Sequence, residues 1–302
     1  MVFHREIAGV MPVIQTPFRD DLSIDENALI KELNWVLDQG VAGLTTGMVS
    51  EILRLSGPER QHLTEIVVGV ARDRGAVSII SCGAESTKVA IDHARHAEHV
   101  GADALMAIPP ISVALDDGAL LGYYSDIAES TTIDLVIQDA SGYVGRPLSI
   151  DLQVKMLETY GDRIYFKPEA PPIGPRISQL RDATGGEARI FEGTGGAALV
   201  DSFRRGIVGT MPGAEVCWAI QKMWDSLLNN EWSVAYAISG PLCALINLQN
   251  SIDMFVTVEK YILKMQGVIE STLAQGPTSF VLDNETRGEV DRLFEQISIA
   301  SR

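Results

Sequence analysis

Eight short apolar runs, each followed by a stretch of helical periodicity, predict an α/β chain: a (β/α)8 TIM barrel with a C-terminal helical appendage. Several of these runs end in turn residues, as in Thr46-Gly47, Ile108-Pro109-Pro110, Gly193-Thr194-Gly195-Gly196 and Met211-Pro212-Gly213. Strand ends of this kind form the catalytic face of such a barrel. Near Glu215 the alternation stops, and beyond it only helical periodicity remains.

The strands are expected at 10–16, 42–46, 78–82, 104–108, 134–138, 164–167, 189–192 and 207–211, where β-formers cluster between turn signals. Amphipathic patterns at 27–39, 58–72, 87–100 and 149–159 lie between them. Residues 1–214 are read as the barrel and 215–302 as a helical segment, its helices separated at Gly240-Pro241 and Gly276-Pro277.

With 24 basic against 40 acidic side chains, the 302-residue chain carries a net charge of −16. Nucleic acid needs a basic stripe, and anionic lipid would be repelled, so neither is an expected partner. Cys82, Cys217 and Cys243 are odd in number and far apart. They form neither a disulfide framework nor a metal motif, which points to a reducing compartment. Residues 1–8 lack an apolar signal core, and no apolar run reaches membrane-span length. A cytoplasmic location is expected.

Of the seven lysines, at 31, 88, 155, 167, 222, 260 and 264, six fall on helical patterns, where a charged head is expected to reach water. Lys167 instead ends the sixth strand, in Ile164-Tyr165-Phe166-Lys167-Pro168-Glu169. The side-chain period of two puts Tyr165, Lys167 and Glu169 on one face and Ile164, Phe166 and Pro168 on the other. The apolar set should face the helices, leaving Lys167 and Glu169 in the barrel mouth. An amine partly stripped of water there can attack a carbonyl, and the resulting imine withdraws electrons from the next carbon. Glu169 is placed to move protons at that carbon. A buried ion pair that merely fills the barrel would have the same pattern.

Pro12-Val13-Ile14-Gln15-Thr16-Pro17-Phe18, Gly101-Ala102-Asp103-Ala104 and Tyr165-Phe166-Lys167, with the eight β/α units, resemble the dihydrodipicolinate synthase / N-acetylneuraminate lyase superfamily. The resemblance implies a barrel lyase that binds pyruvate or another 2-oxo acid covalently on Lys167. It implies a homo-oligomer, tetramer or dimer, and neither metal nor organic cofactor, since the imine does the work. The departures are informative. The family's Gly-Thr-Thr-Gly-Glu falls on Gly47-Met48-Val49-Ser50-Glu51, its strand-four Pro-Tyr-Tyr on Pro109-Pro110-Ile111, and its strand-five Tyr-Asn-Val-Pro-Gly-Arg on Gln138-Asp139-Ala140-Ser141-Gly142-Tyr143. The threonine and both tyrosines of the synthases' proton relay are thus replaced, and the arginine for a second carboxylate is Tyr143. An amide does not titrate in the useful range, so Gln138 cannot act as the lost phenol did. Dihydrodipicolinate synthase activity is not expected.

Ser50-Glu51, Gln138-Asp139-Ala140 and Phe166-Lys167-Pro168-Glu169-Ala170-Pro171 resemble the L-2-keto-3-deoxyarabonate dehydratase branch, although Ile111 stands where that branch tends to keep an aromatic residue. The implied assignment makes Lys167, Glu169 and Gln138 catalytic, and Val49, Ser50, Glu51, Asp139, Tyr143, Glu192, Gly193, Thr194 and Met211 substrate-binding. The expected reaction is dehydration of a 2-keto-3-deoxy sugar acid. A pyruvate-releasing aldolase and a non-catalytic 2-oxo-acid-binding barrel are the alternatives.

The glycine-rich loops after strands seven and eight also suit phosphate, which would suggest a phosphosugar or flavin barrel, but neither loop contains Lys or Arg. His93, His96 and His99 diverge too widely on a helix to share one ion. Cys82 is read as packing, with no histidine in its strand context to activate it.

Overall fold

The computed structural model describes residues 7–141 and 146–302. Eight parallel strands run in the order β1-β8-β7-β6-β5-β4-β3-β2. They are β1 (Gly9–Val10), β2 (Gly43–Thr45), β3 (Val77–Ser81), β4 (Ala104–Ala107), β5 (Asp134–Gln138), β6 (Ile164–Lys167), β7 (Arg189–Glu192) and β8 (Gly209–Thr210). Backbone bonds from Ala42 N–H to Val10 and from Thr45 N–H to Pro12 join β2 to the β1 segment and close the ring. The fold is a (β/α)8 barrel.

Strands β5, β6 and β7 have the expected bounds, whereas β1 is far shorter than 10–16. Pro12 has no N–H for the ladder, and beyond it Val13 makes only isolated bridges to Thr45 and Gly213. That segment still forms barrel wall. Inside, Met11, Val13, Ile79, Met106, Val136, Tyr165, Phe191 and Met211 pack together. Ile164 and Phe166, on the other face of β6, pack with the helical shell. This alternation fixes the direction of Lys167.

The shell comprises α1 (Glu26–Asp38), α2 (Gly57–Asp73), α3 (Thr87–Val100), α4 (Asp117–Ser130), α5 (Ile150–Tyr160), α6 (Ile173–Ala183) and α7 (Leu199–Arg204). Many of them start on a side chain that accepts a backbone N–H: Asp25 for α1, Ser86 for α3, Asp116 for α4 and Ser149 for α5. At α2 the cap is reciprocal, Ser56 accepting from Glu59 N–H and the Glu59 carboxylate accepting from Ser56 N–H.

After β8 come α8 (Cys217–Leu228), α9 (Trp232–Asn247), α10 (Ile252–Met265) and α11 (Asn284–Ala300). α10 packs against the Met48–Ser50 turn that follows β2, which brings it over the barrel mouth. Among the described residues, no helix is long and apolar enough to cross a membrane.

Candidate active site

A cavity of about 320 Å³ opens at the C-terminal ends of the strands, a volume suited to a small ligand. Lys167 closes β6 at its floor, with its ammonium 2.5 Å from Glu169 Oε1. The β5–β6 register pairs Gln138 with Lys167. From there the Gln138 amide donates to the same Glu169 oxygen at 2.7 Å. Lys167, Glu169 and Gln138 thus form one connected group at the cavity wall. The Gln138 Oε1 is buried with no protein partner among the described residues.

Two features hold Glu169 in place. Its backbone N–H donates to Asp139 Oδ1 at 2.8 Å. Its side chain lies against Gly193, where a Cβ would stand 2.9 Å from Glu169 Cγ and 3.0 Å from Lys167 Cγ. Glycine at 193 therefore leaves room for the Lys–Glu pair. Ala140, following Asp139, adopts φ +44°, a left-handed conformation uncommon outside glycine and a small store of strain beside the site.

Several residues expected to meet substrate do not line the cavity. Asp139 is buried outside the cavity wall and clamps backbone, accepting from both Glu169 and Ser141 N–H. Burial, reinforced by the Glu169 charge, raises its carboxyl above the usual range. Ser50 is fully buried, donating to the Ile14 carbonyl at 2.5 Å and accepting from Gly47 N–H. Glu51 pairs at 2.5 Å with Lys260, both side chains fully buried, and also accepts from Gln275 N–H. A charge that can be satisfied internally is drawn away from the ligand side.

Lys260 therefore departs from the expectation of a solvated helical lysine. Burial pushes its pKa down, while the Glu51 charge opposes the shift. Glu192 does not line the cavity either. It accepts from Thr194 N–H, Gly196 N–H and the hydroxyls of Thr194 and Thr210, folding the loop after β7 around its carboxylate. Those N–H donors are thereby withdrawn from any phosphate. Val49, Gly193, Thr194 and Met211 do line the cavity. Tyr143 lies outside the described residues. Burial pushes the Cys82 thiol up to about 12, in keeping with a packing role.

Sequence reasoning missed the wall contributed by α10 and the turn before it: Gln249, Asn250, Phe255 and Glu259. Glu259 accepts from the Gln15 amide at 2.5 Å, and Gln15 N–H donates to Glu32 at 2.7 Å. Glu215 crowds Glu259 above Gly213, where a Cβ would meet Glu215 Oε2 at 2.3 Å and Glu259 Oε1 at 2.7 Å. Burial pushes all three carboxyls up, Glu32 to about 8. One signal was legible. On α10, Glu259 falls three residues after Val256 and four before Leu263, within the apolar stripe.

The sequence signature of the dihydrodipicolinate synthetase family matches residues 6–297. The chain is 28% identical over 180 residues to 4-hydroxy-tetrahydrodipicolinate synthase of Bartonella quintana, a match spanning 59% of this chain and 60% of that one. It is 26% identical over 288 residues to L-2-keto-3-deoxyarabonate dehydratase of Azospirillum brasilense, covering 93% and 92% of the two chains. The solved 4-hydroxy-tetrahydrodipicolinate synthase of Methylacidiphilum fumariolicum SolV superposes with a TM-score of 0.87 at 22% identity, over 98% of this chain and 97% of that one, a likeness of fold. With a barrel of this architecture and the match running through nearly its whole length, the chain belongs to the dihydrodipicolinate synthetase family of lyases.

Proposed function

We propose that this lyase forms a Schiff base between Lys167 and a 2-oxo acid and dehydrates a 2-keto-3-deoxy sugar acid. The observation that carries the reading is the Lys167–Glu169 pair at 2.5 Å, on the wall of a cavity large enough for such an acid. To attack, the ammonium must first lose a proton, and Glu169 is within reach to accept it. The amine adds to the C2 carbonyl, Glu169 returns that proton to the carbinolamine hydroxyl, and water leaves, giving a cationic imine and a free Glu169 carboxylate. Glu169 then removes a proton from C3, and the imine nitrogen takes up the electron pair as an enamine. This electron sink needs neither metal nor organic cofactor.

Gln138 keeps Glu169 turned toward the lysine through its amide N–H, and its unpartnered oxygen is free to accept a hydrogen bond from a substrate hydroxyl. Met48 and Val49 line the cavity, and their backbone N–H groups are the donors we assign to the substrate carboxylate. The dehydratase relative, 26% identical and matched over most of both chains, is in keeping with this reading.

Borohydride reduction in the presence of pyruvate, and of a panel of 2-keto-3-deoxy sugar acids, tests the reading. A stable adduct at Lys167, with a 2-oxo semialdehyde as the turnover product, is the expected result. Pyruvate release would overturn the dehydratase assignment in favour of an aldolase. No adduct with any of these acids would overturn the Schiff-base reading itself.

A further inference from the structure

Elimination of a hydroxyl needs an acid as well as a base. Hydroxide is a poor leaving group, and Glu169 is committed to the C3 proton. The strand order separates two walls of the cavity: Lys167 and Glu169 stand on β6, while Glu259 overhangs the ends of β1 and β8, two and more strands away. We infer that Glu259 is the acid that protonates the departing C4 hydroxyl, and that Glu215 is the positioning residue that keeps it protonated. This assignment rests on the Schiff-base reading above.

The geometry singles out Glu259. It lines the cavity and is almost fully buried, at 3% exposure. Gln15 Nε2 occupies its Oε2, leaving Oε1 without a hydrogen bond from the protein among the described residues. Glu215 Oε2 and that same Oε1 both crowd the space above Gly213, and the Glu215 Oε2 is buried with no partner among the described residues. Two carboxyl groups crowded together out of water cannot both ionise, so one proton is retained between them. Glu32 on α1 adds a third carboxyl on the far side of Gln15. Lys260, the next residue along α10, is directed to Glu51 and to the Leu273 carbonyl. Both Glu215 and Glu259 are pushed up from the ordinary carboxylate range by burial, Glu259 also by the Glu215 charge.

The step balances without oxidant or reductant. Glu169 holds the C3 proton, and the enamine pair returns to form the C3–C4 double bond. The C4–O bond breaks and its electron pair goes to oxygen, which takes the Glu259 proton and leaves as water. Glu259 is left as a carboxylate and regains its proton from solvent or through Glu215. A carboxyl held protonated at this wall favours elimination over carbon–carbon cleavage, because a retro-aldol step needs a base at the same hydroxyl.

Glu259→Gln keeps size and hydrogen bonding but has no proton to give. It should form the borohydride-trapped pyruvate adduct as the wild type does, while losing dehydration by roughly 10²-fold or more. Glu215→Gln should move the alkaline limb of the kcat profile down by about one pH unit, since Glu259 loses the like charge that raises it. Dehydration by Glu259→Gln within about threefold of wild type would overturn the inference, as would loss of adduct and turnover together or an unmoved alkaline limb in Glu215→Gln. Failure of the wild type to form any adduct would refute the Schiff-base reading instead, and the two outcomes are separable.

Discussion

Replacing Gly193 by alanine adds one methyl group at the point where the proposed base and nucleophile meet. The new Cβ would stand 2.9 Å from Glu169 Cγ, 3.0 Å from Lys167 Cγ and 3.3 Å from Glu169 Oε1. Carbon atoms pack at about 3.5–4.0 Å, so the two side chains must retreat by roughly half to one ångström. Backbone strain is not the issue, because Gly193 does not use the left-handed region. Glu169 has little freedom to yield, with its N–H on Asp139 and its carboxylate shared by Lys167 and Gln138. Misplacement on this scale costs about 10²-fold in rate when reacting groups are involved. Gly193→Ala should therefore lower kcat some 10- to 100-fold with a much smaller change in Tm. The assay is turnover of the 2-keto-3-deoxy acid alongside thermal unfolding. Unchanged kcat would mean that the Lys167–Glu169 spacing does not govern the reaction.

Other perturbations have equally definite outcomes. Lys260→Met leaves Glu51 buried without its cation and should cost about 3–5 kcal/mol in urea unfolding, whereas adding Glu51→Leu should recover most of it. Additive losses in the double variant would show that the pair is not coupled. Glu32 is raised from 4.5 to about 8 in the folded protein, so it binds a proton that the unfolded chain has released between those values. Its contribution is complete below pH 4.5 and is lost as pH rises through about 8, a few kcal/mol at most. Glu32→Gln should flatten the decline in stability over that window, and an identical slope in both proteins would refute the assignment. Asp139→Ala, by freeing the Glu169 N–H, should lower kcat roughly tenfold with little change in KM, while Asp139→Asn, which retains an acceptor oxygen, should stay near wild type.

Lys167 was legible because a charge on a β-strand has few explanations. The period of two also gave its direction, which the split of Tyr165 and Phe166 between barrel interior and helical shell bears out. Ser50, Glu51 and Asp139, expected to meet substrate, lie off the cavity wall for one shared reason. Motif position says where a residue sits in the chain, but whether its polar atoms turn to ligand or scaffold depends on partners far away in sequence. For Glu51 that partner is Lys260 on α10, and no local pattern around Glu51 announces it. Glu259 and Lys260 were missed because helical charges normally reach solvent. Their places in the stripe set by Val256 and Leu263 were the available warning. At β1, composition suggested a long strand, and the missing N–H of Pro12 shortened it.

The net charge of −16 opposes the proposed substrate, which is itself an anion. A formal count overstates that opposition inside the barrel. Glu32, Glu215 and Glu259 enter the count as full negative charges, yet burial raises all three toward their neutral forms. Each, if ionised about 6 Å from a carboxylate at an effective dielectric near 20, would repel it by about 3 kcal/mol. To the extent that burial keeps them protonated, that repulsion is removed. The Lys167–Glu169 pair is close to neutral as well, so an incoming carboxylate meets backbone dipoles rather than fixed negative charge. Once the imine forms, the nitrogen cation lies beside that carboxylate. Part of the formal acidity is thus discharged where the substrate must sit, and raising the pH until these carboxyls ionise should raise KM before it unfolds the chain.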